Sequence, residues 1–401
     1  MKTIILILVI LFLIWPCRAK EYFVLGEPEG DGEVLSPSGV KEGPDGNIYV
    51  YDQKFAFIKV FSPQGNFIRK MGGKGQGPGE IQRADGVSFN FTHDDKMLYF
   101  TEFLEGHNWI TFMELSGKLH HVIKLKMNKI YGILTSVPLP DGNFLAEISF
   151  SDPAEAKKDY YLYRYPLALV NINSKGEIVS EILRTNHVRY ISIISNGGTL
   201  EIPHAPSFIW ELLKNNSIIF TEGLSDIFKI YDMTGKLTGE IKTPVPAPQP
   251  VTAADLDNWR QDIKSRIIDK SWFNRFGKVI YKYKDSIHRK KPNIGSVSLT
   301  PNNNLLIIGV RDPGKHSIPY WLIDLEGNTV KTVEIADPIY SLAISEHFIF
   351  ARSSDEDDNP LVLCIKRKGT EAEDLTRLKR KEKVPGKNGK NGILRKHQKN
   401  N

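Results

Sequence analysis

The stretch from Pro44 to Ile68 reads Pro44-Asp45-Gly46-Asn47, then Ile48-Tyr49-Val50-Tyr51-Asp52, then Phe57-Ile58-Lys59-Val60-Phe61, then Ser62-Pro63-Gln64-Gly65 and Asn66-Phe67-Ile68. Turns rich in Asp, Asn and Gly separate short apolar runs, which is the pattern of antiparallel strands joined by hairpins. The Asp-Gly pair supplies the positive φ that a two-residue hairpin requires. With an apolar strand before Pro44, this stretch predicts a four-stranded antiparallel unit.

The same template recurs along the chain. Later copies are recognised by a turn between the first two strands and a second turn before the fourth strand. These turn pairs are His93–Lys96 with Leu115–Gly117, Pro140–Asn143 with Asn173–Gly176, Lys214–Ser217 with Asp232–Gly235, Pro301–Asn304 with Asp324–Gly327, and Ser345–His347 with Lys366–Gly369. Six units of four strands predict an all-β fold, a six-bladed β-propeller of four-stranded antiparallel blades.

The sixth unit runs out of chain before a good fourth strand. The apolar segment Tyr22–Leu25 has no partner within the first unit. We expect it to pair with the last blade near residues 361–366, because closing the ring removes edges that would otherwise pair with other chains.

These repeats, together with the blade-ending run Gly72-Gly73-Lys74-Gly75-Gln76-Gly77-Pro78-Gly79-Glu80, resemble the NHL-like six-bladed β-propellers, and among them an exported bacterial group. The resemblance covers residues 22–368. It implies the fold but no single activity, since such propellers include scaffolds, sugar-lactone hydrolases and lyases. The metal-binding carboxylates and asparagines of the hydrolases cannot be matched position by position onto this chain, so that activity is not implied.

Composition excludes several classes of protein. The 401 residues are 41% hydrophobic and include only 2 Cys, which excludes wholesale disorder, a disulfide scaffold and a thiolate zinc cluster. The net charge of +6 comes from the C-terminal end, because residues 366–401 hold 13 Lys and Arg against 4 Asp and Glu. The rest of the chain is acidic, so we expect no nucleic-acid groove on the fold.

The N-terminus has the pattern of a secretory signal. Lys2 precedes an apolar run from Ile4 to Trp15, and Ala19 offers a small residue for cleavage. Two other interpretations are a lipoprotein, with Cys17 lipidated, and an uncleaved anchor. In each case the protein is exported, to the periplasm, the cell envelope or the extracellular space.

The sequence therefore divides into a signal peptide (1–19), a propeller (20–368) and a basic, disordered tail (369–401). Two roles stay open for the tail: weak contact with anionic envelope surfaces, or none. The propeller carries one helical insertion, residues 243–293, between blades 4 and 5. Thr252 and Asp255 form a capping box at its start, and Ile268, Trp272 and Phe276 share one apolar face of the predicted helix. The insertion is interpreted either as a structural plug or as a lid or partner surface.

Long connections, among them the predicted loops at residues 151–160 and 184–204, fall on one face of the predicted ring, and function concentrates on such loops. Residues that precede the first strand of each blade, Thr135 and Ser296 among them, should surround the mouth of the central channel. The candidate ligand-binding residues are Arg83, Asp85, His204, Asn293 and Tyr340. Arg, His and Asn donors around a concave mouth suit an anionic or sugar-like ligand.

Other chemical motifs are incomplete. Gly309–Lys315 has phosphate-loop spacing, but His316 replaces Ser or Thr and a strand follows. The run Asp355–Asp358 is acidic enough for Ca²⁺ yet lacks the spacing of a calcium loop, so no cofactor or metal site is assigned, and Ca²⁺ stays an alternative to a solvated loop.

Two functions follow from these patterns. The first is a monomeric, exported, non-catalytic propeller that binds a small anionic or sugar-like molecule, or a protein partner, at its channel mouth. The alternative is a metal-dependent sugar-lactone-type hydrolase or lyase with its metal in the channel, which needs several oxygen ligands converging on one point.

Overall fold

A computed structural model describes residues 22–379 apart from residues 27–29, 78, 103–108, 127–129, 151–155, 158–159, 165, 186–187, 194–198, 202–203, 267–288, 312–314, 337–338, 340 and 356–358. The predicted signal peptide lies outside the described residues, as does most of the predicted tail. No described helix is long and apolar enough to cross a membrane.

The chain forms six blades, each a four-stranded antiparallel sheet, and in blades 1 to 5 the strands follow chain order. Blade 1 contains β2 (Pro37–Glu42), β3 (Ile48–Asp52), β4 (Phe57–Phe61) and β5 (Phe67–Gly72). Blade 2 contains β6 (Val87–Phe91), β7 (Met97–Glu102), β8 (Trp109–Glu114) and β9 (Leu119–Lys124). Blade 3 contains β10 (Ile130–Pro138), β11 (Phe144–Phe150), β14 (Leu167–Ile172) and β15 (Ile178–Thr185). Blade 4 contains β18 (Ile209–Leu212), β19 (Ile218–Thr221), β20 (Ile227–Tyr231) and β21 (Leu237–Lys242). Blade 5 contains β22 (Ile294–Leu299), β23 (Leu305–Gly309), β24 (Ser317–Ile323) and β25 (Thr329–Ala336).

Blade 6 takes its outer strand from the other end of the chain. It contains β26 (Ser341–Ile344), β27 (Phe348–Ser354), β28 (Pro360–Lys366) and β1 (Tyr22–Leu25). Strand β1 pairs antiparallel with β28, with Tyr22 opposite Ile365 and Leu25 opposite Val362. The predicted closure of the ring by residues 22–25 is therefore confirmed.

Burial follows the position of each strand in its blade. All five residues of β3 are buried, because neighbouring blades cover both of its faces. The outer strand β5 alternates between more and less exposed residues, because its outward face meets solvent. Six separate apolar clusters fill the six interfaces between neighbouring blades, so the core is distributed around the ring.

The hairpin turns differ from the two-residue type that the sequence suggested. Gly43 N–H donates to Asn47 O at 2.7 Å and Gly46 N–H donates to Gly43 O at 2.9 Å, which encloses a three-residue loop. The last loop residue has φ of 73° at Gly46. Asp95, Asn216 and Asn303 have φ of 59–63° at the same position in other blades. These residue types tolerate the left-handed region, so the turn is conserved in shape without glycine.

The ring has two distinct faces. We call the face at which the innermost strands begin the mouth face, and the opposite face, which holds the hairpin turns, the turn face. Strands β12 (Ala156–Lys157), β13 (Tyr160–Arg164), β16 (Val188–Ile193) and β17 (Thr199–Glu201) form a seventh sheet beyond the mouth face of blade 3. It corrects the expectation that residues 151–160 and 184–204 are loops. The outer hairpin of blade 3 continues through β13 and β16, so Leu167 opposes Thr185 and Arg164 opposes Val188.

Helix α1 (Ala253–Arg266) lies between β21 and β22 in the chain. The predicted capping box is present: Asp255 N–H donates to Thr252 Oγ1 at 3.2 Å, and Thr252 N–H donates to Asp255 Oδ2 at 2.8 Å. Lys291 Nζ contacts Asp255 Oδ1 at 2.9 Å and lowers the pKa of Asp255 to about 2. The predicted apolar positions Ile268, Trp272 and Phe276 lie outside the described residues.

Helix α2 (Glu371–Lys379) occupies the start of the predicted tail, so the expectation of disorder from residue 369 is wrong for this segment. Leu375 and Leu378 are buried against the interface of blades 5 and 6. Thr370 caps the helix, accepting from Glu373 N–H at 3.3 Å while its own N–H donates to Glu373 Oε2 at 2.9 Å. Charge counting missed this helix because its apolar positions are few and lie among Lys, Arg and Glu.

Candidate functional site

A buried carboxylate in blade 1 holds the chain at the channel mouth. Asp52, the last residue of β3, accepts hydrogen bonds from Leu35 N–H and Ser36 N–H, each at 3.0 Å. Its charge is balanced by Lys59 at 3.2 Å, and both side chains are almost fully buried. Asp52 therefore fixes the segment that leads into the innermost strand.

Glu102 performs the same task in blade 2. Its Oε1 accepts from Gln82 N–H at 2.8 Å and from Arg83 N–H at 3.0 Å. Burial raises the pKa of Glu102, and the two backbone donors oppose that rise. The carboxylate fixes the backbone at Arg83, one of the predicted ligand-binding residues. Neither Asp52 nor Glu102 was predicted from the sequence as a site residue.

Arg83 and Asp85 form a bidentate ion pair. Arg83 Nε donates to Asp85 Oδ1 at 2.7 Å and Nη2 donates to Asp85 Oδ2 at 2.6 Å. The pair is solvent-exposed, with 43% of the Arg83 side chain and 55% of the Asp85 side chain accessible. Arg83 lowers the pKa of Asp85, which keeps the carboxylate ionised. The two residues together carry no net charge, so Arg83 is a weaker attractor of anions than its sequence suggested.

The other predicted mouth residues differ in their surroundings. Asn293 directly precedes β22, and its Nδ2 donates to Pro246 O at 2.6 Å, while its buried Oδ1 accepts no hydrogen bond from the described residues. His204 has φ of 59°, a strained backbone angle for a non-glycine residue. Tyr340 lies outside the described residues. The chain order places Asn293 and His204 at the mouth face, each before an innermost strand.

Below the mouth, the innermost strands present mainly small and hydroxyl-bearing residues at one level of the channel, with Ile209 as the exception. These positions are Gly39, Ser88, Thr135, Ile209, Ser296 and Ser341. Ser88 Oγ and Thr135 Oγ1 lie 3.0 Å apart, which shows that equivalent positions of neighbouring blades meet at this level. Gly39 faces Phe89 of blade 2, and a Cβ atom at Gly39 would lie 3.1 Å from that ring. Thr135 and Ser296, expected at the rim, therefore lie deeper in the channel.

Two residues further along, each innermost strand approaches the turn face. The equivalent positions there are Lys41, Asn90, Val137, Glu211, Ser298 and Ala343, each two residues before the residue whose N–H closes the first hairpin turn. Lys41 belongs to blade 1 and Glu211 to blade 4, which stand opposite each other in a ring of six. The two charges act on each other, and from opposite blades they can do so only across the channel.

The side chains of Lys41 and Glu211 are partly exposed to solvent, although protein atoms surround them in the narrow channel. Burial raises the pKa of Glu211 to about 7, against the opposing effects of Lys41 and of the backbone N–H groups of Leu299 and Leu212. Burial lowers the pKa of Lys41, and Glu211 opposes that change. Neither Lys41 nor Glu211 was predicted from the sequence as a site residue. The sequence feature that could have identified them is a charged side chain at the same position of the innermost strand in two blades.

This arrangement predicts a pH dependence of stability. Glu211 holds its proton more tightly in the folded protein, with a pKa of about 7, than in an unfolded chain, where Glu titrates near about 4.3. The folded state binds more protons between these values, so the free energy of unfolding should fall as pH rises through that window. Urea unfolding at about pH 5 and pH 7.5 measures the fall.

Glu211→Gln removes the titrating group, so its free energy of unfolding should decrease less over the same interval. Groups that do not interact with Glu211 contribute equally to both proteins and cancel in the comparison. Parallel pH dependences of the two proteins would contradict the assignment of a raised pKa to Glu211.

Among the described residues, no group of three His, Cys, Asp or Glu side chains is placed to hold a metal ion. Part of the acidic run, residues 356–358, lies outside the described residues. Asp355 uses its carboxylate within its own loop, accepting from Asn359 N–H at 2.9 Å. The Ca²⁺ alternative at this loop stays a prediction.

Comparisons with known proteins agree on the fold. The DUF5128 family model, described as a 6-bladed beta-propeller, matches residues 29–131. A search of curated proteins found no match to the sequence.

Solved structures also resemble the chain at low sequence identity. A member of the DUF4221 family from Bacteroides vulgatus is 9% identical, with a TM-score of 0.50 over 88% of this chain and 100% of that one. A candidate exported protein of Bacteroides fragilis is 12% identical, with a TM-score of 0.49 over 87% of this chain and 95% of that one. Virginiamycin B lyase from Staphylococcus aureus is 15% identical, with a TM-score of 0.40 over 86% of this chain and 98% of that one. At these identities the likeness concerns the fold alone: the chain is a six-bladed β-propeller of four-stranded antiparallel blades.

Proposed function

We propose that the chain is a non-catalytic binding propeller, which takes a small anionic or sugar-like ligand through the mouth of its central channel. The observation that carries this proposal is the channel wall itself. Its middle level consists mainly of small and hydroxyl side chains, such as Ser88, Thr135, Ser296 and Ser341. Hydroxyl groups along a concave surface offer hydrogen bonds without filling the space that a ligand needs.

The mouth is held in a fixed geometry, which lowers the entropic cost of binding. Glu102 fixes the backbone of Arg83, and Asn293 is fixed to Pro246. The helix-bearing segment between β21 and β22, which we assign to residues 243–293, and the seventh sheet both belong to the mouth face. These elements support a binding face more directly than the hydrolase alternative, which requires convergent oxygen ligands.

A thermal-shift screen of anions and sugars with the purified chain, followed by metal analysis, tests this proposal. A bound metal with turnover of a sugar lactone would instead favour the hydrolase or lyase. If a protein partner binds and no small molecule does, the chain would instead be a propeller that binds a protein at its channel mouth.

Arg83→Ala should weaken binding of any ligand found in that screen by about tenfold or more, because a charge-assisted hydrogen bond contributes about 1.5–3 kcal/mol. The melting temperature should change little, since an exposed ion pair contributes about 0–1 kcal/mol. Calorimetric titration and a melting curve on the same sample measure both. Unchanged affinity would place the ligand elsewhere, and unfolding of the variant would make Arg83 structural.

We also propose that the chain is exported and belongs with the NHL-like propellers of exported bacterial proteins. N-terminal sequencing from the native host should then find Lys20 as the first residue. An intact Met1 or a lipid on Cys17 would contradict the cleaved signal and support the anchored or lipoprotein alternatives.

A further inference from the structure

Opposite charges stand on opposite walls of the channel at its turn-face end. Lys41 projects from the innermost strand of blade 1 and Glu211 from that of blade 4. Alternate residues of an innermost strand face different neighbouring blades. Gly39 packs towards blade 2, and Ile209 packs with blade 5, so Lys41 lies on the side of blade 2 and Glu211 on the side of blade 5. These two sides are diametrically opposed.

Neither side chain forms a direct ion pair with a described residue. Charges removed from water are costly unless a partner compensates them. Glu211 has the backbone N–H groups of Leu299 and Leu212 and the charge of Lys41, whereas Lys41 has the charge of Glu211. The neighbouring positions of the same level, Asn90 and Ser298, are neutral groups that hydrogen-bond. The end of the channel therefore has one positive wall and one negative wall, with Asn90 and Val137 on one side between them and Ser298 and Ala343 on the other.

We propose that this end of the channel binds a small zwitterion, with its ammonium group on Glu211 and its acid group on Lys41. The inference rests on the proposed function and deepens it, because it names the class of ligand and the far end of the same channel. A simple anion would be attracted by Lys41 but repelled by Glu211, and a simple cation would meet the reverse. A molecule that carries both charges on a spacer satisfies both walls at once and displaces little beyond water.

Because the two charges stand on opposite walls, binding should depend on the spacing of the two charges in the ligand. An α-amino acid holds its two charges close together, and an ω-amino acid holds them at opposite ends of a chain. We expect the affinity to differ among glycine, 4-aminobutyrate and 6-aminohexanoate, with an optimum where the ligand spans the channel.

The experiment is calorimetric titration of the full mature chain with these three compounds at about pH 8, where Glu211 is mostly ionised. Hexanoate and hexylamine are matched probes that each carry one of the two charges. The expected result is saturable binding of an ω-amino acid, with each singly charged probe at least about tenfold weaker. Glu211→Gln and Lys41→Met should each weaken that binding by about tenfold or more, and Glu240→Gln, on the exposed outer strand of blade 4, should not.

Glu211→Asp keeps the charge on a shorter side chain and should therefore shift the preference to a ligand with a longer spacer. This variant tests the inference if Glu211→Gln does not fold. Equal binding to the wild type and Glu211→Gln, or equal binding of hexanoate and 6-aminohexanoate, would overturn the inference. If no zwitterion binds but an anion or sugar binds in an Arg83-dependent manner, the inference fails and the proposed function stands. If none of these probes binds, both fail.

Discussion

Leu25→Ala is expected to lower the free energy of unfolding by about 2–5 kcal/mol and the melting temperature by about 5–15 °C. Leu25 is 0% exposed and lies where the two ends of the chain meet. It packs in one cluster with Ile48 and Val50 of blade 1 and with Phe350 of blade 6. The substitution therefore leaves a cavity at the closing interface of the ring, which differential scanning calorimetry would detect.

Leu237→Ala is the matched control, because Leu237 lies on an outer strand with 47% of its surface exposed. It should change stability by no more than about 0.5 kcal/mol. Deletion of residues 20–26 should exceed the effect of Leu25→Ala, since it also removes the backbone pairing of β1 with β28. If the deletion left the melting temperature unchanged, closure by this strand would contribute nothing to stability.

Glu371→Ala should cost about 3–5 kcal/mol of folding free energy. The carboxylate of Glu371 is buried and accepts hydrogen bonds from Thr300 Oγ1 at 2.8 Å, Asn302 N–H at 3.2 Å and Asn304 Nδ2 at 2.9 Å. Arg367, itself mostly buried, lies 3.9 Å from it. Removing the Glu371 carboxylate leaves the donors of the blade 5 turn and the Arg367 guanidinium without their acceptor. It also removes the hydrogen bonds that attach helix α2 to the ring.

Chemical denaturation of Glu371→Ala beside two further variants checks this prediction. Glu371→Gln keeps an acceptor and should lose less stability than Glu371→Ala. Glu326→Ala changes an exposed carboxylate and should be within about 0.5 kcal/mol of the wild type. Equal stabilities of Glu371→Ala and Glu326→Ala would show that α2 packs on the ring without contributing to its stability.

The fold was predictable because a propeller is a repeat. Each blade buries both faces of its inner strands, so apolar runs and turn residues recur at regular places that a single sequence displays. The missing strand of blade 6 and the unpartnered segment Tyr22–Leu25 could be matched for the same reason. The capping box at Thr252 was predictable because it depends on contacts between residues close in the chain.

The seventh sheet could not be predicted, because it joins two insertions that are distant in sequence and follows no repeat. Helix α2 was missed because its stability comes from contacts that span the molecule. The bonds of Glu371 to Thr300 and Asn304 cross about seventy positions, and charge counting cannot detect them.

The sequence by itself determined the architecture of this protein: six blades, closure by residues 22–25, and the face on which the long connections lie. Local turn chemistry and burial periodicity carry that information along the chain. Only the tertiary structure decided how the charges of the channel are used. It paired Arg83 with Asp85 at the mouth, and it set Lys41 opposite Glu211 across the axis. The position of Lys41 opposite Glu211 depends on which blades face each other once the ring closes, and spacing along the chain does not record that arrangement.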